Sequence, residues 1–210
     1  MGNGPSLRAT PPDLLQRVPS FGLNRIFLGR DLLGFDPTYV VCVNRLVIEQ
    51  SAAELETVRS PLFVSYQNRD LLLPGSQAVL LYSNPTTPTE FGLDPSRDGI
   101  WEGSTVTYVA MQLAFHMGFR RAVLVGVDHS FAAKGAPHQE VTSQSDDVDH
   151  FDPGYFGKGF RWQLPDLDDS EVSYALARQT FEADGREIID STIGGQLQVF
   201  PKVGLATAIT

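Results

Sequence analysis

Residues 103–131 read GSTVTYVAMQLAFHMGFRRAVLVGVDHSF, and this stretch decides the fold. Its first half has apolar side chains at three- and four-residue steps, which place them on one face of a helix. These side chains are Val106, Val109, Ala110, Leu113, Ala114 and Met117. Ser104 or Thr105 is suited to the helix N-cap, and Gly118 to the left-handed residue that ends a helix.

The second half, Ala122 to Val127, is apolar without alternation. Apolar side chains on both faces are typical of a central strand in a parallel sheet covered by helices. The strand is followed by polar residues that include Asp128 and His129. Ligands of open α/β sheets bind outside the carboxyl ends of the strands, so both are candidate site residues. A plain polar loop would begin in the same way.

The remaining elements follow from shorter patterns. Strands are predicted at Ser20 to Asn24, Tyr39 to Val43, Pro61 to Ser65, Leu71 to Leu73, Ala78 to Tyr82 and Glu187 to Asp190. Helices are predicted at Asp13 to Val18, Arg45 to Arg59 and Ser170 to Ala183, the last with Val172, Leu176, Ala177 and Phe181 inward. Asn84 to Gly99 reads as a loop, and 204–210 as a fraying tail. These elements predict one α/β domain over residues 1–210, in which 131–169 form a long active-site loop or lid.

Composition restricts the function. The chain has 210 residues, a net charge of −9 and an isoelectric point near 4.8, which argue against binding a nucleic-acid backbone. A single cysteine, Cys42, lies in an apolar run and is expected to be a buried structural thiol. The sequence shows no signal peptide and no run long enough to span a bilayer, so we expect a cytoplasmic protein without an integral membrane segment.

The chain opens with a glycine-rich turn, GNGPSL, at residues 2–7. Gly2 and Gly4 would let the backbone approach a ligand and adopt positive φ. Such a turn normally follows a buried strand and faces a phosphate. That first strand is missing here, so we expect either that the chain is truncated at its first strand or that the segment is a flexible tail. A plain surface turn fits the same residues.

Two predicted strands each end in Asn-Arg, at Asn24-Arg25 and Asn44-Arg45. An Asn carboxamide at a strand end can recognise a base or a ribose, because it both donates and accepts hydrogen bonds. Asn is also a common helix N-cap, so a structural role is the alternative.

Taken together, six motifs resemble a known family. They are GNGPSL (2–7), FGLNR (21–25), VCVN (41–44), GSTV…LAFHMGFRRAVLVGVDHSF (103–131), HFDPGYFGKGFRW (150–162) and STIGGQLQVFPKV (191–203). Their order resembles a family of unknown function grouped with MptE-like 6-hydroxymethylpterin diphosphokinases. It is also similar to glycosyltransferase family 42 sialyltransferases and to motility-associated flagellin glycosyltransferases. The resemblance implies a Rossmann-like, mostly parallel sheet flanked by helices, in a GT-A-like variant of the sialyltransferase type.

The resemblance also implies where a nucleotide would bind. It assigns the nucleotide-binding role to Asn3, Gly4, Asn24 and Asn44, with Gly2 and Ser6 in the same turn. The chain departs from the sialyltransferases in two places. Ser104-Thr105-Val106 stands where they have Thr-Ser-Gly, and Gly154 stands where their second histidine falls.

The first hypothesis is a nucleotide-sugar-dependent glycosyltransferase, inverting and sialyltransferase-like, that moves an acidic sugar from a CMP donor to a hydroxyl of a glycan or glycoprotein. Such chemistry needs a base for the acceptor hydroxyl, and histidine suits that role near neutral pH. His150 is the first candidate and His129 the second. Residues predicted to contact the phosphate or the acidic sugar are Arg25, Tyr155, Lys158 and Arg161. The aromatic residues near Tyr155 form either a lid or a hydrophobic cluster beneath the loop. This reading requires no cofactor and leaves oligomerisation open.

The second hypothesis is a diphosphokinase that transfers pyrophosphate from ATP to a pterin-like alcohol. It needs Mg²⁺ held by carboxylates and phosphate oxygens, with Asp128 as the best-placed ligand. Asp146, Asp147 and Asp149 are loop candidates, although they also fit a solvated acidic loop. The third hypothesis is a catalytically inactive nucleotide-binding module.

Overall fold

The structure, a computed structural model, describes residues 1–86 and 90–210. The strands are β1 (Phe21–Leu23), β2 (Tyr39–Cys42), β3 (Leu62–Ser65), β4 (Val79–Leu81), β5 (Ser83–Asn84), β6 (Ile100–Trp101), β7 (Arg121–Leu124), β8 (Glu140–Thr142), β9 (Arg161–Gln163) and β10 (Glu187–Asp190). The α-helices are α1 (Pro12–Leu15), α2 (Arg30–Leu33), α3 (Arg45–Leu55), α4 (Val106–His116), α5 (Leu167–Ala183) and α6 (Leu205–Ala208). Short 3-10 helices span Pro5–Ala9, Ile26–Gly29 and Tyr66–Leu71.

The largest sheet has four parallel strands in the order β1-β2-β3-β4. Successive β2 side chains point to opposite faces, so Val40 and Cys42 pack in the cluster that holds the α3 side chains. Val41 packs on the other face, where α4 contributes Val109 and Leu113. A parallel sheet covered on both faces confirms the predicted α/β class. Cys42 is fully buried as predicted, and burial raises its thiol pKa.

Strands β7 and β10 form a second parallel pair. The amino-terminal residues lie between β7 and β1. The Gly2 N–H donates to the Val125 carbonyl (2.8 Å), and the amino group of Met1 donates to the Phe21 carbonyl (2.7 Å). Residues 1–4 therefore occupy the position of the carboxyl end of a strand between β1 and β7. Leu7 is fully buried. The interpretation of this segment as a flexible tail is wrong, because backbone hydrogen bonds on two sides hold it in place.

The helix and strand of residues 103–131 form as predicted, although β7 itself ends at Leu124. The Thr105 hydroxyl accepts a hydrogen bond from the Thr107 N–H and caps α4, and Gly118 has a φ of 84°. Helix α4 is buried on more than one face, because α5 packs on the side away from the sheet. Helix α5 begins at Leu167 rather than at Ser170. Val172, predicted to point inward, is 53% exposed.

Several boundary predictions need correction. Leu71–Leu73 is not a strand, because the 3-10 helix 66–71 occupies its start. The tail predicted at 204–210 contains α6, and Ala208 is buried. The segment 131–169 contains the antiparallel hairpin of β8 and β9 rather than irregular chain alone. The loop predicted at 84–99 lies partly outside the described residues. Within residues 1–86 and 90–210, no helix has the length and apolar character needed to cross a membrane.

Candidate functional site

A cavity of about 380 Å³ opens at the carboxyl ends of the strands. Its walls come from the amino-terminal turn, the residues after β1, β2 and β7, the segment around His150 and β9, and the starts of α4 and α5. This is the edge of a parallel sheet at which ligands of α/β proteins bind. The fold thus places one concave site where the sequence predicts it.

Most of the predicted site residues meet in this cavity. The nine that line it are Gly2, Asn3, Gly4, Asn24, Asn44, Asp128, His129, His150 and Tyr155. Ser6 lies behind the wall: its hydroxyl donates to Asp128 Oδ2 (2.6 Å) and its N–H to Asp128 Oδ1 (3.1 Å). Asp128 therefore fastens the amino-terminal turn to the end of β7, and each of its oxygens accepts one hydrogen bond from Ser6.

The two glycines of the turn are needed for packing rather than for positive φ. A Cβ on Gly2 would lie 2.3 Å from the carbonyl oxygen of Gly126, and one on Gly4 would lie 1.9 Å from Asp128 Oδ2. The φ of Gly4 is −67°, and Gly2 is not among the residues with positive φ. The prediction that these glycines adopt positive φ is wrong; what they supply is close contact between two chain segments.

Two carboxamide oxygens in the cavity wall are buried without a hydrogen-bond partner in the described chain: Asn3 Oδ1 and Asn24 Oδ1. The Asn3 amide group is fixed, because its Nδ2 donates to the Leu23 carbonyl and to the Tyr155 hydroxyl (2.9 Å each). Its oxygen is consequently held as an acceptor. An unpartnered buried acceptor is destabilising, so the wall contains two carboxamide oxygens whose hydrogen-bonding capacity is unused in the described chain.

The cavity histidines differ in what they contact. His129 Nε2 lies 2.9 Å from Glu171 Oε1, and His138 Nε2 lies 3.5 Å from Asp166 Oδ2. His150 instead contacts a carboxylate through Nδ1, which lies 2.8 Å from Asp147 Oδ2. The fourth histidine, His116, lies on α4, where its Nδ1 is 3.6 Å from Asp94 Oδ1.

Three helix N-termini face the cavity. The N-caps of α3, α4 and α5 are Asn44, Thr105 and Asp166, and all three line the cavity. Helix N-termini carry partial positive charge and free N–H groups, which attract anions. Among the described lining residues there is no Lys or Arg, whereas Glu102, Asp128, Asp149 and Asp166 are acidic. Apart from the three histidines, backbone dipoles are therefore the positive groups available to a phosphate in the described wall.

The three cationic residues predicted to bind the phosphate lie outside the described lining. Arg25 is buried beneath the loop and donates through Nη1 to the carbonyls of Gly154 and Tyr155, and burial lowers its pKa. Arg161 pairs with Glu49 (2.9 Å) and Glu140 (3.2 Å), and Lys158 is exposed. Arg25 and Arg161 hold the loop in place. Tyr155, predicted for the same role, does line the cavity, and burial raises its pKa.

Backbone strain is concentrated at the cavity. In the described residues, positive φ occurs at four non-glycine positions: Asn24 (46°), Ser104 (55°), His129 (55°) and His138 (61°). All four line the cavity. Each such residue costs on the order of 1–3 kcal/mol and persists where the surrounding structure enforces it, which is characteristic of functional sites.

Sequence reasoning missed several lining residues because they lie far apart in the chain. Glu102 follows β6, and burial raises its pKa although the Ser83 hydroxyl donates to it (2.6 Å). Tyr174 lies on α5 and also lines the cavity. Neither residue belongs to a local motif, although Glu102 directly precedes residues 103–131.

The aromatic residues of the loop form a packed cluster beneath it. Phe156 stacks on Phe160 (5.1 Å between ring centroids) and on Trp162 (5.2 Å), and Arg25 lies over Phe160 (4.6 Å). Tyr155 and Phe156 are buried. Of the two sequence alternatives, lid or hydrophobic cluster, the contacts show the cluster, with Phe156 and Trp162 also lining the cavity.

No family model, curated protein or solved structure matches this chain.

Proposed function

We propose that the cavity binds a nucleotide-activated donor and that the protein is an inverting glycosyltransferase with a Rossmann-like domain of the sialyltransferase type. The observation that carries the proposal is the meeting of two unpartnered carboxamide oxygens, Asn3 Oδ1 and Asn24 Oδ1, with His150 in one cavity. An exocyclic amino group of a base, or ribose hydroxyls, would satisfy these oxygens.

The rest of the cavity supports the same chemistry. The helix N-termini at Asn44 and Thr105 would hold the phosphate of the donor and the charge that develops when the sugar leaves it. His150 would take the proton from the acceptor hydroxyl. Our first candidate donor is a CMP-activated acidic sugar, and the acceptor is a hydroxyl of a glycan or glycoprotein.

A second function is favoured by the acidic wall. In an MptE-like diphosphokinase, Asp128 would bind Mg²⁺ together with the phosphates of ATP. In the described part of the chain, no three His, Cys, Asp or Glu side chains are grouped to hold a metal ion. The residues fit Mg²⁺ only as one or two carboxylates with the remaining ligands from phosphate and water, which is the usual arrangement for Mg²⁺–nucleotide sites.

The first test is calorimetry with CMP, CDP, UDP, GDP and ATP, each with and without Mg²⁺. Binding of CMP without metal supports the glycosyltransferase and directs the assay to CMP-activated sugars. Binding of ATP only with Mg²⁺, lost in Asp128→Asn, supports the diphosphokinase. Binding without turnover of any donor indicates an inactive module, and binding of none overturns the proposal.

Two variants test the residues. Asn24→Gly removes the unpartnered oxygen and relieves the positive φ, so nucleotide binding should weaken by on the order of 1–3 kcal/mol while stability is kept or raised.

His150→Ala should reduce turnover with little change in donor affinity. His116→Ala is the matched control, because His116 lies on α4 outside the cavity lining. Full turnover in His150→Ala would remove that residue from catalysis.

A further inference from the structure

The buried pair of Asp147 and His150 is a feature that the sequence did not single out. Asp147 Oδ2 lies 2.8 Å from His150 Nδ1. The side chains are 6% and 11% exposed, so the contact is largely shielded from solvent. The sequence suggested Asp147 only as a member of an acidic loop cluster or as a ligand of Mg²⁺.

Asp147 is held by several hydrogen bonds. Its Oδ2 also accepts from the Phe156 N–H (2.8 Å), and its Oδ1 accepts from the Asp149 N–H (2.8 Å). Its own N–H donates to the Pro153 carbonyl (2.8 Å). Burial by itself would raise the pKa of the Asp147 carboxyl. The hydrogen bond from His150, the charge of His150 and the two backbone N–H donors together outweigh burial, so the pKa of Asp147 is lowered. An ionised carboxylate only accepts, which places the ring proton of His150 on Nδ1.

The imidazole ring is clamped as well. It stacks on Tyr155 with 4.0 Å between centroids and 10° between planes, and Phe156 packs against it edge-on at 4.9 Å. His150 lines the cavity, and its Nε2 has no hydrogen bond to the described residues. The nitrogen opposite the carboxylate is thus the one left to accept a proton.

Neither of the other cavity histidines has this arrangement. In His129 and His138 it is Nε2 that faces a carboxylate, Glu171 and Asp166 respectively. The side chain of Glu171 is half exposed, and so is that of His138. Of the three, only His150 pairs through Nδ1 with a buried carboxylate.

We propose that Asp147 is a positioning residue that fixes the tautomer and orientation of His150 and stabilises its imidazolium form. The role of Asp147 in catalysis, unlike its pairing with His150, rests on the proposed function. The acceptor hydroxyl gives its proton to His150 Nε2, and its oxygen forms a bond to the anomeric carbon. The bond from that carbon to the phosphate oxygen of the donor breaks, and its electron pair leaves with the nucleotide. Asp147 accepts the Nδ1–H throughout and is never protonated.

The test is Asp147→Asn, with Asp146→Asn as the matched control, since Asp146 is an exposed neighbour. Two-dimensional ¹H–¹⁵N spectra of the ring nitrogens should show the Nδ1–H tautomer of His150 in the wild type and in Asp146→Asn. In Asp147→Asn the proton should move to Nε2, because an Asn amide can donate to Nδ1. With a donor identified, kcat should fall roughly 10²–10⁴-fold in Asp147→Asn with little change in KM.

Two results would overturn the proposal: an Nε2–H tautomer in the wild type, or an unchanged tautomer in a folded Asp147→Asn protein. The wild-type spectrum decides the matter even if the variant fails to fold. If the tautomers are as expected but no donor is turned over, the pairing stands and the glycosyltransferase assignment fails. Normal kcat in Asp147→Asn with a changed tautomer refutes the catalytic role alone.

Discussion

Replacement of Gly4 by alanine tests how the amino-terminal turn is joined to the end of β7. Gly4 has φ −67° and ψ 163°, a conformation that alanine adopts freely, so no backbone penalty is expected. The new Cβ would lie 1.9 Å from Asp128 Oδ2 and 2.5 Å from its Cγ. The Asp128 carboxylate must therefore move, and its two hydrogen bonds with Ser6 are lost.

The size of the effect follows from those two bonds. A hydrogen bond to a charged group contributes roughly 1.5–3 kcal/mol, and both bonds are only partly buried, so water replaces part of the loss. We expect Gly4→Ala to lower the free energy of unfolding by about 2–4 kcal/mol. Gly204→Ala is the matched control. Like Gly4, Gly204 has a negative φ (−61°) and directly precedes a helix, but a Cβ on Gly204 would meet no atom within 4 Å.

The assay is urea unfolding of both variants, followed by a double-mutant cycle with Asp128→Gly. That substitution removes the three atoms at 1.9, 2.5 and 2.9 Å from the new Cβ, so Gly4→Ala should add little in its background. A coupling free energy of about 2 kcal/mol is expected for residues in such contact. Additive effects, or a Gly4→Ala stability within about 0.5 kcal/mol of Gly204→Ala, would refute this account of the turn.

Two further predictions concern other parts of the site and sheet. Asn44 Oδ1 caps α3 through the Val47 N–H (3.2 Å), so Asn44→Ala should lower stability by about 1 kcal/mol and weaken nucleotide binding, whereas Asn44→Ser should keep the cap and lose affinity only. Unchanged calorimetric affinity in Asn44→Ser would show that the carboxamide contacts no nucleotide. In protein produced with a free amino group at Met1, burial lowers the amine pKa from 8.0 to about 5. The unfolded chain then binds more protons between those values, so stability should rise as pH increases from about 5 to 8. Amino-terminal acetylation should remove this rise in thermal unfolding scans, and identical profiles for the two forms would contradict the burial argument.

Local patterns explain why so much of the secondary structure was predictable. Short apolar runs marked β2, β7 and β10, and the spacing of apolar residues marked α4. Predictions failed where the pattern was short. Leu71–Leu73 has three apolar residues and is not a strand, and Leu205–Ala208 is a four-residue helix in which Ala208 is buried.

The candidate site was predictable only in part, because only the residues near strand ends have positions that a sequence pattern indicates. Residues within four positions after a strand reach the cavity because parallel strands end at one edge of the sheet, which is why Asn24, Asn44 and Asp128 meet there. The loop residues follow no such rule. Arg25 and Arg161 have the charge to bind a phosphate, yet carbonyl groups and carboxylates elsewhere in the fold engage them.

By itself, then, the sequence determined the α/β class, the helix and strand at its centre, and the edge of the sheet at which polar residues collect. These depend on periodicity, caps and strand ends, which are properties of neighbouring residues. Only the tertiary structure decided that Asp147 faces His150, that the Asn3 oxygen lacks a partner and that Gly4 packs against Asp128. Such contacts depend on how segments more than a hundred residues apart, or loops without regular structure, pack together, because burial and hydrogen bonding are settled by the whole fold.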